Sequence, residues 1–132
     1  MTESRICVTG QSAHSNDWLR RPIGVIVWWG VPVALGVSTN FLDLSPAHTA
    51  LTWAGAFAWM GTGCALNALR CGRRHCFFAG PVLWLGSIAA GLAALGVISG
   101  RDALGEVVNG TVALAALSWL SECIWGSYAS RT

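Results

Sequence analysis

Uncharged, mostly apolar residues fill four long stretches of the chain, and the polar residues are confined to the short segments between them. A bilayer with a hydrocarbon core of about 30 Å is crossed by roughly 20 helical residues, each adding about 1.5 Å. The pattern therefore predicts an all-α integral membrane bundle of four transmembrane helices. The stretches without Asp, Glu, Lys or Arg are 22–42, 44–69, 76–100 and 107–121.

Local start and stop signals divide these stretches into helices. Pro22 suits a first helical position, and Pro32 in the middle of the first helix predicts a kink rather than a stop. Ser45 and Pro46 are start signals for the second helix, and the Gly-Pro pair at 80–81 is one for the third. The predicted spans are about 22–42, 48–69, 78–99 and 106–128, with polar tails at 1–21 and 129–132.

The first apolar stretch has a second interpretation, a cleaved signal peptide. A basic segment precedes it, and residues 34–38 supply the small side chains of a cleavage site. However, the polar segment before it is long, and the apolar run continues past the small residues to Leu42. We therefore favour a transmembrane helix that is retained.

The arginines predict the orientation of the bundle. The chain contains eight arginines and no lysine. With the N-terminus inside, seven arginines fall on the cytoplasmic side, whereas Arg101 falls outside together with Asp43, Asp102 and Glu106. By the positive-inside rule both termini are cytoplasmic. The expected location is the cell membrane, the inner membrane if the source is bacterial.

Composition excludes several classes of protein. Hydrophobic residues make up 54% of the chain and charged residues only 11%, against about 25% charged in soluble domains. This argues against a conventional soluble enzyme and against intrinsic disorder. No phosphate-binding loop, nucleophile elbow or dinucleotide fingerprint is present. We therefore expect no enzymatic activity, and the net charge of +2 gives no basis for nucleic-acid binding.

Small residues are expected to hold the helices together, because lipid gives one apolar helix no hydrophobic reason to prefer another. The packed face of the third helix is assigned to its small residues, and such faces could also support a homo-oligomer. These residues are Gly86, Ala90, Gly91, Ala94 and Gly96. Four tryptophans share one predicted layer below the cytoplasmic surface. They serve either packing and lipid contact or an aromatic floor beneath a binding site: Trp28, Trp29, Trp84 and Trp119.

The cysteines are the candidate chemistry. Cys64, Asn67 and Cys71 are spaced i, i+3, i+7 and therefore lie along one face of the second helix. Arginines of the following segment favour thiolates, which bind soft metals, and a cytoplasmic location keeps the thiols reduced. The predicted site binds copper, mercury or zinc through thiols and one imidazole, with a carboxylate as a candidate relay. Its residues are Cys71, His75 and Cys76 in the loop, Cys64 and Cys123 as deeper ligands, and Glu122 as the relay.

The segment R-C-G-R-R-H-C-F-F-A-G-P, residues 70–81, resembles a segment of small, uncharacterised multi-spanning membrane proteins of prokaryotes. The resemblance covers about a tenth of the chain. It implies no established activity and supports only the membrane class.

Two function classes remain open from the sequence. The first is a small membrane protein that binds or transports a soft metal ion at its cytoplasmic side. The second is a non-catalytic membrane scaffold or oligomerising subunit, in which the cysteines are small apolar fillers and the arginines fix topology. Metal content of the purified protein would distinguish them.

Overall fold

The computed structural model describes residues 21–100, 102–120 and 124, and within this part of the chain the regular structure is helical with no strand. Four helices follow one another in alternating directions. The prediction of an all-α fold is therefore confirmed for these residues. The helices are α1 (Pro22–Ser38), α2 (Pro46–Cys71), α3 (Arg74–Ala94) and α4 (Ala103–Ser118).

Helix α1 continues through its internal proline, as predicted. Pro32 has no N–H to donate to the preceding turn, and a π-helical turn, Ile26–Gly30, directly precedes this position. The helix ends at Ser38, four residues before its predicted end. Here the Thr39 hydroxyl donates to the Gly36 carbonyl at 2.6 Å. Such side-chain hydrogen bonds satisfy the last carbonyls of a helix and compete with its continuation.

Helix α2 begins where its local signals predict. Ser45 is the N-cap, its Oγ accepts from the backbone N–H of His48 at 3.4 Å, and Pro46 occupies the first turn. The helix ends at Cys71, because Gly72 adopts the left-handed conformation with φ +65°. Glycine is the residue that enters this region without a steric penalty.

The start of α3 differs from its predicted position. The segment at 70–76 was expected to be a loop, with helix 3 opening at about residue 78. In the structure only Gly72 and Arg73 separate α2 from α3, and Pro81 lies inside α3 with an exposed ring. The Gly-Pro pair is therefore not a start signal here. His75 and Cys76 consequently lie in the first turn of α3 rather than in a loop.

The end of α3 also falls earlier than residue 99. The helix ends at Ala94, and Gly96 follows with φ +72°. The Val97 N–H donates to the carbonyl of Leu92, five residues earlier, at 2.9 Å. A bond of this span closes the end of a helix that is followed by a left-handed glycine.

Helices α2 and α3 form the closest pair in the bundle. Their shared core contains Phe57, Met60 and Leu83, together with small residues and two cysteines. The Ser87 hydroxyl donates to the Ala54 carbonyl at 2.8 Å and so links the two helices directly. In apolar surroundings, close approach of this kind and interhelical hydrogen bonds replace the hydrophobic effect as the source of packing energy.

Indole rings lie over glycines at three of the helix contacts. A Cβ added to Gly36 would lie 2.9 Å from the Trp53 ring, one added to Gly61 would lie 2.8 Å from Trp84, and one added to Gly63 would lie 2.6 Å from Trp28. Packing is thus confirmed as a role of Trp28 and Trp84. The assignment of Gly91 to a packed face was wrong, because a Cβ there would have no atom within 4 Å. At Gly86, five residues earlier on α3, an added Cβ would lie against the Thr111 side chain of α4.

The outer surface of the described residues is strongly apolar. Each helix carries large apolar side chains that are more than half exposed. One described helix, Arg74–Ala94, is both long and apolar enough to cross a membrane by length and composition. Helices Pro22–Ser38 and Ala103–Ser118 are apolar but shorter. Exposed examples from α1, α2, α3 and α4, in that order, are Ile23, Leu69, Leu85 and Leu117.

Candidate functional site

A group of four side chains lies between the end of α2 and the start of α3, and we call it the thiol cluster. It consists of Cys64 and Asn67 from α2 with His75 and Cys76 from α3. Each of the four is at most 2% exposed. Buried cysteine is common, but a buried histidine and a buried asparagine beside two thiols need partners for their polar atoms.

Cys76 is the centre of the cluster. Its Sγ accepts a hydrogen bond from Nδ2 of Asn67 at 3.8 Å, and it lies 3.4 Å from Nε2 of His75. Cys64 and Cys76 belong to the same buried core cluster between α2 and α3. The imidazole nitrogen and the amide therefore both contact the Cys76 sulfur, and the Cys64 thiol is buried in the same core. Asn67 thus forms a hydrogen bond between α2 and α3.

The local geometry favours negative charge on the cluster. Cys76 is the third residue of α3, and unpaired backbone N–H groups at a helix N-terminus stabilise an anion such as a thiolate. Arg73 is the N-cap of α3 and lines the cavity beside His75. Copper(I) held by two thiolates would carry a net charge of −1, and mercury(II) held in the same way would be neutral.

The structure does not group the predicted site residues as the sequence suggested. Cys71 is the last residue of α2 and is buried, but the contacts described for Cys76 are to Asn67 and His75. The face shared by Cys64, Asn67 and Cys71 was predicted correctly, since all three are buried. Two predicted members of the site, Cys123 and Glu122, lie outside the described residues.

The number of ligands limits which metals the cluster could hold. Among residues 21–100, 102–120 and 124, no three His, Cys, Asp or Glu side chains are arranged to hold a metal ion together. Structural zinc is almost always held by four ligands in a tetrahedron. Within the described residues, the thiol cluster therefore provides two sulfur ligands and not the four ligands of a structural zinc site.

Trp119, which directly follows the last residue of α4, packs against the His75 ring of the cluster. Its ring centroid is 5.5 Å from that of His75, with the two planes tilted by 47°. A cavity of about 220 Å³ lies beside this pair and is lined by Val25, Trp29, Arg73, His75 and Trp119. The His75 ring therefore lines this cavity, although His75 is only 2% exposed to solvent.

No pattern in the sequence indicated the pairing of His75 with Trp119. The two residues are far apart in the chain, and they meet because α3 begins at Arg74 and α4 runs antiparallel to it. A second and larger cavity, of about 360 Å³, also has Trp29 and Trp119 in its wall. Two of the four tryptophans in the predicted layer therefore line cavities, while Trp28 and Trp84 pack on glycines.

No protein-family model, no curated protein and no solved structure matches this chain significantly.

Proposed function

We propose that the chain is a membrane protein in which all four helices span the bilayer. The exposed apolar side chains on every helix support this, because soluble proteins rarely expose continuous apolar surfaces of more than a few hundred Å². The distribution of charge supports it as well. Arg21, Arg70, Arg73 and Arg74 lie at one end of the bundle, and Asp43, Asp102 and Glu106 lie at the other.

The short helices are compatible with this proposal. Helix α1 has 17 residues and is about 25 Å long at about 1.5 Å per residue. A bilayer thins locally around a short span at a cost of a fraction of a kcal/mol per Å. Residues following Ser118 could lengthen α4, since Leu120 and Ile124 are again helical.

We expect both termini to be cytoplasmic, because seven of the eight arginines then lie on that side. Reporter fusions after Arg131 and within 43–46 measure this directly. A cytoplasmic reporter should be active after Arg131, and a periplasmic reporter should be active within 43–46. Activity of a periplasmic reporter after Arg131 would disprove the topology.

We further propose that the thiol cluster binds one soft metal ion of the copper(I) or mercury(II) type at the cytoplasmic end of α2 and α3. The observation that carries the proposal is the burial of two thiols, Cys64 and Cys76, in one core cluster, with an imidazole nitrogen 3.4 Å from the Cys76 sulfur. Thiolates are the ligands that soft metals prefer. Copper(I) and mercury(II) accept two sulfur ligands, so they do not require the third and fourth ligands that zinc does.

Binding or storage at one face fits this arrangement better than transport across the membrane. All the cysteines described, Cys64, Cys71 and Cys76, lie at the same end of the bundle. The opposite half offers no thiol among the described residues from which a relay could start. We therefore infer a role in sensing or storing metal that arrives from the cytoplasm.

Metal content of the purified full-length protein tests the proposal. The protein is equilibrated anaerobically with copper(I) and, separately, with zinc(II), then passed over a sizing column and analysed for metal. We expect one copper ion per chain in the wild type and no stoichiometric zinc. The double variant Cys64→Ser/Cys76→Ser should bind no copper.

Cys71→Ser is the matched control, because Cys71 is a third buried thiol at the same end of α2. It should bind copper as the wild type does. Equal copper in all three proteins, or loss in Cys71→Ser alone, would contradict the proposal. A wild type without copper would instead favour a structural subunit, in which Cys64 and Cys76 only fill the core between α2 and α3.

A further inference from the structure

The larger cavity lies at the centre of the bundle and is bounded by all four helices. Its volume is about 360 Å³, which is within the range of about 300–1,000 Å³ typical of small-molecule sites. Among the described residues, no charged side chain lines its wall. The lining residues are Trp29, Val33, Trp53, Met60, Leu83, Val112, Ala115, Ala116 and Trp119.

The cavity has a closed floor and an open mouth. Met60, Leu83 and Ala115 form the floor and are at most 4% exposed. At the mouth, Val112 is 50% exposed and Trp119 is 59% exposed. The mouth therefore opens onto the same apolar outer surface that we assign to lipid. A ligand would enter from apolar surroundings and not from water.

We propose that this cavity binds one neutral molecule with a flat, fused aromatic ring system. An apolar cavity of about 150 Å³ stays dry and accepts benzene, so a cavity of about 360 Å³ has room for more than one ring. Three indoles and the thioether of Met60 line it, and such groups make specific contacts with aromatic rings. Ionised ligands are disfavoured, because a buried charge without a partner is costly.

Occupancy of this site affects the thiol cluster through one side chain. Trp119 lines the cavity and also contacts the His75 ring, with 5.5 Å between centroids. A ring bound against Trp119 holds the indole in place over the imidazole. The proposal does not depend on metal binding, since none of the lining residues belongs to the thiol cluster.

Energy transfer from tryptophan to anthracene tests the proposal. Full-length protein in uncharged detergent micelles is titrated with anthracene, and the sensitised anthracene emission is recorded. We expect a saturable component with one site per chain above the linear uptake by the micelles. Uptake that stays linear throughout the titration would overturn the proposal.

Two exposed alanines of α4 provide a matched pair of variants. Ala116 lines the cavity, and Ala113, three residues earlier, does not. Ala116→Phe should weaken the saturable component about tenfold or more, which corresponds to about 1.4 kcal/mol, whereas Ala113→Phe should leave it unchanged. If Ala116→Phe does not fold, Val112→Phe at the mouth gives the same comparison. Equal saturation in the cavity variant and Ala113→Phe would show that anthracene binds elsewhere and overturn the proposal.

Competition identifies the chemistry of the occupant. Phenanthrene, a neutral fused-ring compound, should displace anthracene from the saturable site. Hexadecane should displace it far less, because a flexible chain makes no specific contact with the indole faces and loses conformational freedom on binding. Displacement by hexadecane as effective as that by phenanthrene would show that the cavity holds acyl chains, and would overturn the proposal.

Discussion

Replacing Gly86 by alanine is expected to destabilise the bundle, whereas the same change at Gly91 on the same helix is expected to be neutral or stabilising. A Cβ at position 86 would lie 3.0 Å from the Cβ of Thr111 on α4 and closer still to its methyl and hydroxyl groups. Because the Cβ itself is too close, a rotation of the Thr111 side chain cannot relieve the contact. Helices α3 and α4 must move apart.

The two variants should therefore differ in sign. Overpacking of a tight contact costs about 1–3 kcal/mol, and we expect Gly86→Ala to fall at the upper end of this range. At Gly91 the added methyl meets no atom within 4 Å, so the substitution removes a flexible glycine from a helix, a gain of up to about 1 kcal/mol. Unfolding in mixed micelles with increasing sodium dodecyl sulfate, followed by circular dichroism, measures both changes.

A double-mutant cycle assigns the effect to the α3–α4 contact. Thr111→Ala removes the methyl and hydroxyl groups that lie closest to the added Cβ. In the Gly86→Ala background it should recover about 1–2 kcal/mol, which is within the coupling range for residues in contact. An additive double variant, or a Gly91→Ala variant as unstable as Gly86→Ala, would mean that these helices do not meet at Gly86.

Single substitutions within the thiol cluster are expected to affect copper(I) binding unequally. Structural zinc sites with four ligands bind with about 10–16 kcal/mol, or about 2.5–4 kcal/mol per ligand. By that measure, loss of one of two thiolates costs about 100- to 1,000-fold in affinity. Cys64→Ser and Cys76→Ser should each show a loss of this size. Affinity is measured by anaerobic competition with a chelator of known copper(I) affinity.

His75→Ala should have a smaller effect. The imidazole lies 3.4 Å from the Cys76 sulfur and supports it, and removal of such a supporting group typically costs 10- to 100-fold in metal affinity. Asn67→Ala, which removes the amide donor to Cys76 at 3.8 Å, should fall in the same range. If His75→Ala abolishes binding as completely as Cys64→Ser, then the imidazole is a direct ligand and the two-sulfur site is wrong.

Signals that act within a few residues predicted the structure well. Ser45 and Pro46 start α2 because a cap and a proline act through the adjacent backbone alone. The helix signals at 80–81 failed for a different reason. Gly72 supplies the left-handed residue that ends α2, so α3 begins at Arg74 and continues through Pro81, which removes one backbone hydrogen bond within the helix.

Signals that depend on a neighbouring helix could not be read from the sequence. Small residues occur on every side of α3, so the composition of the helix does not indicate which glycine meets a partner. Gly86 and Gly91 were both assigned to the packed face, and of the two only Gly86 has a close neighbour. The same limit applies to the candidate site. The sequence identified the thiols and His75, but it placed His75 and Cys76 in a loop, whereas the structure places them in the first turn of α3.

The two-residue connection between α2 and α3 has a consequence for the order of assembly. All four members of the thiol cluster lie between Cys64 and Cys76, on either side of Gly72 and Arg73. Contacts so close in sequence form early, because little chain entropy is lost in closing the intervening segment. The α2–α3 hairpin could thus bring its two sulfur atoms together while α4 is still being synthesised. Trp119, which packs on the His75 ring, would then close over a cluster that is already assembled.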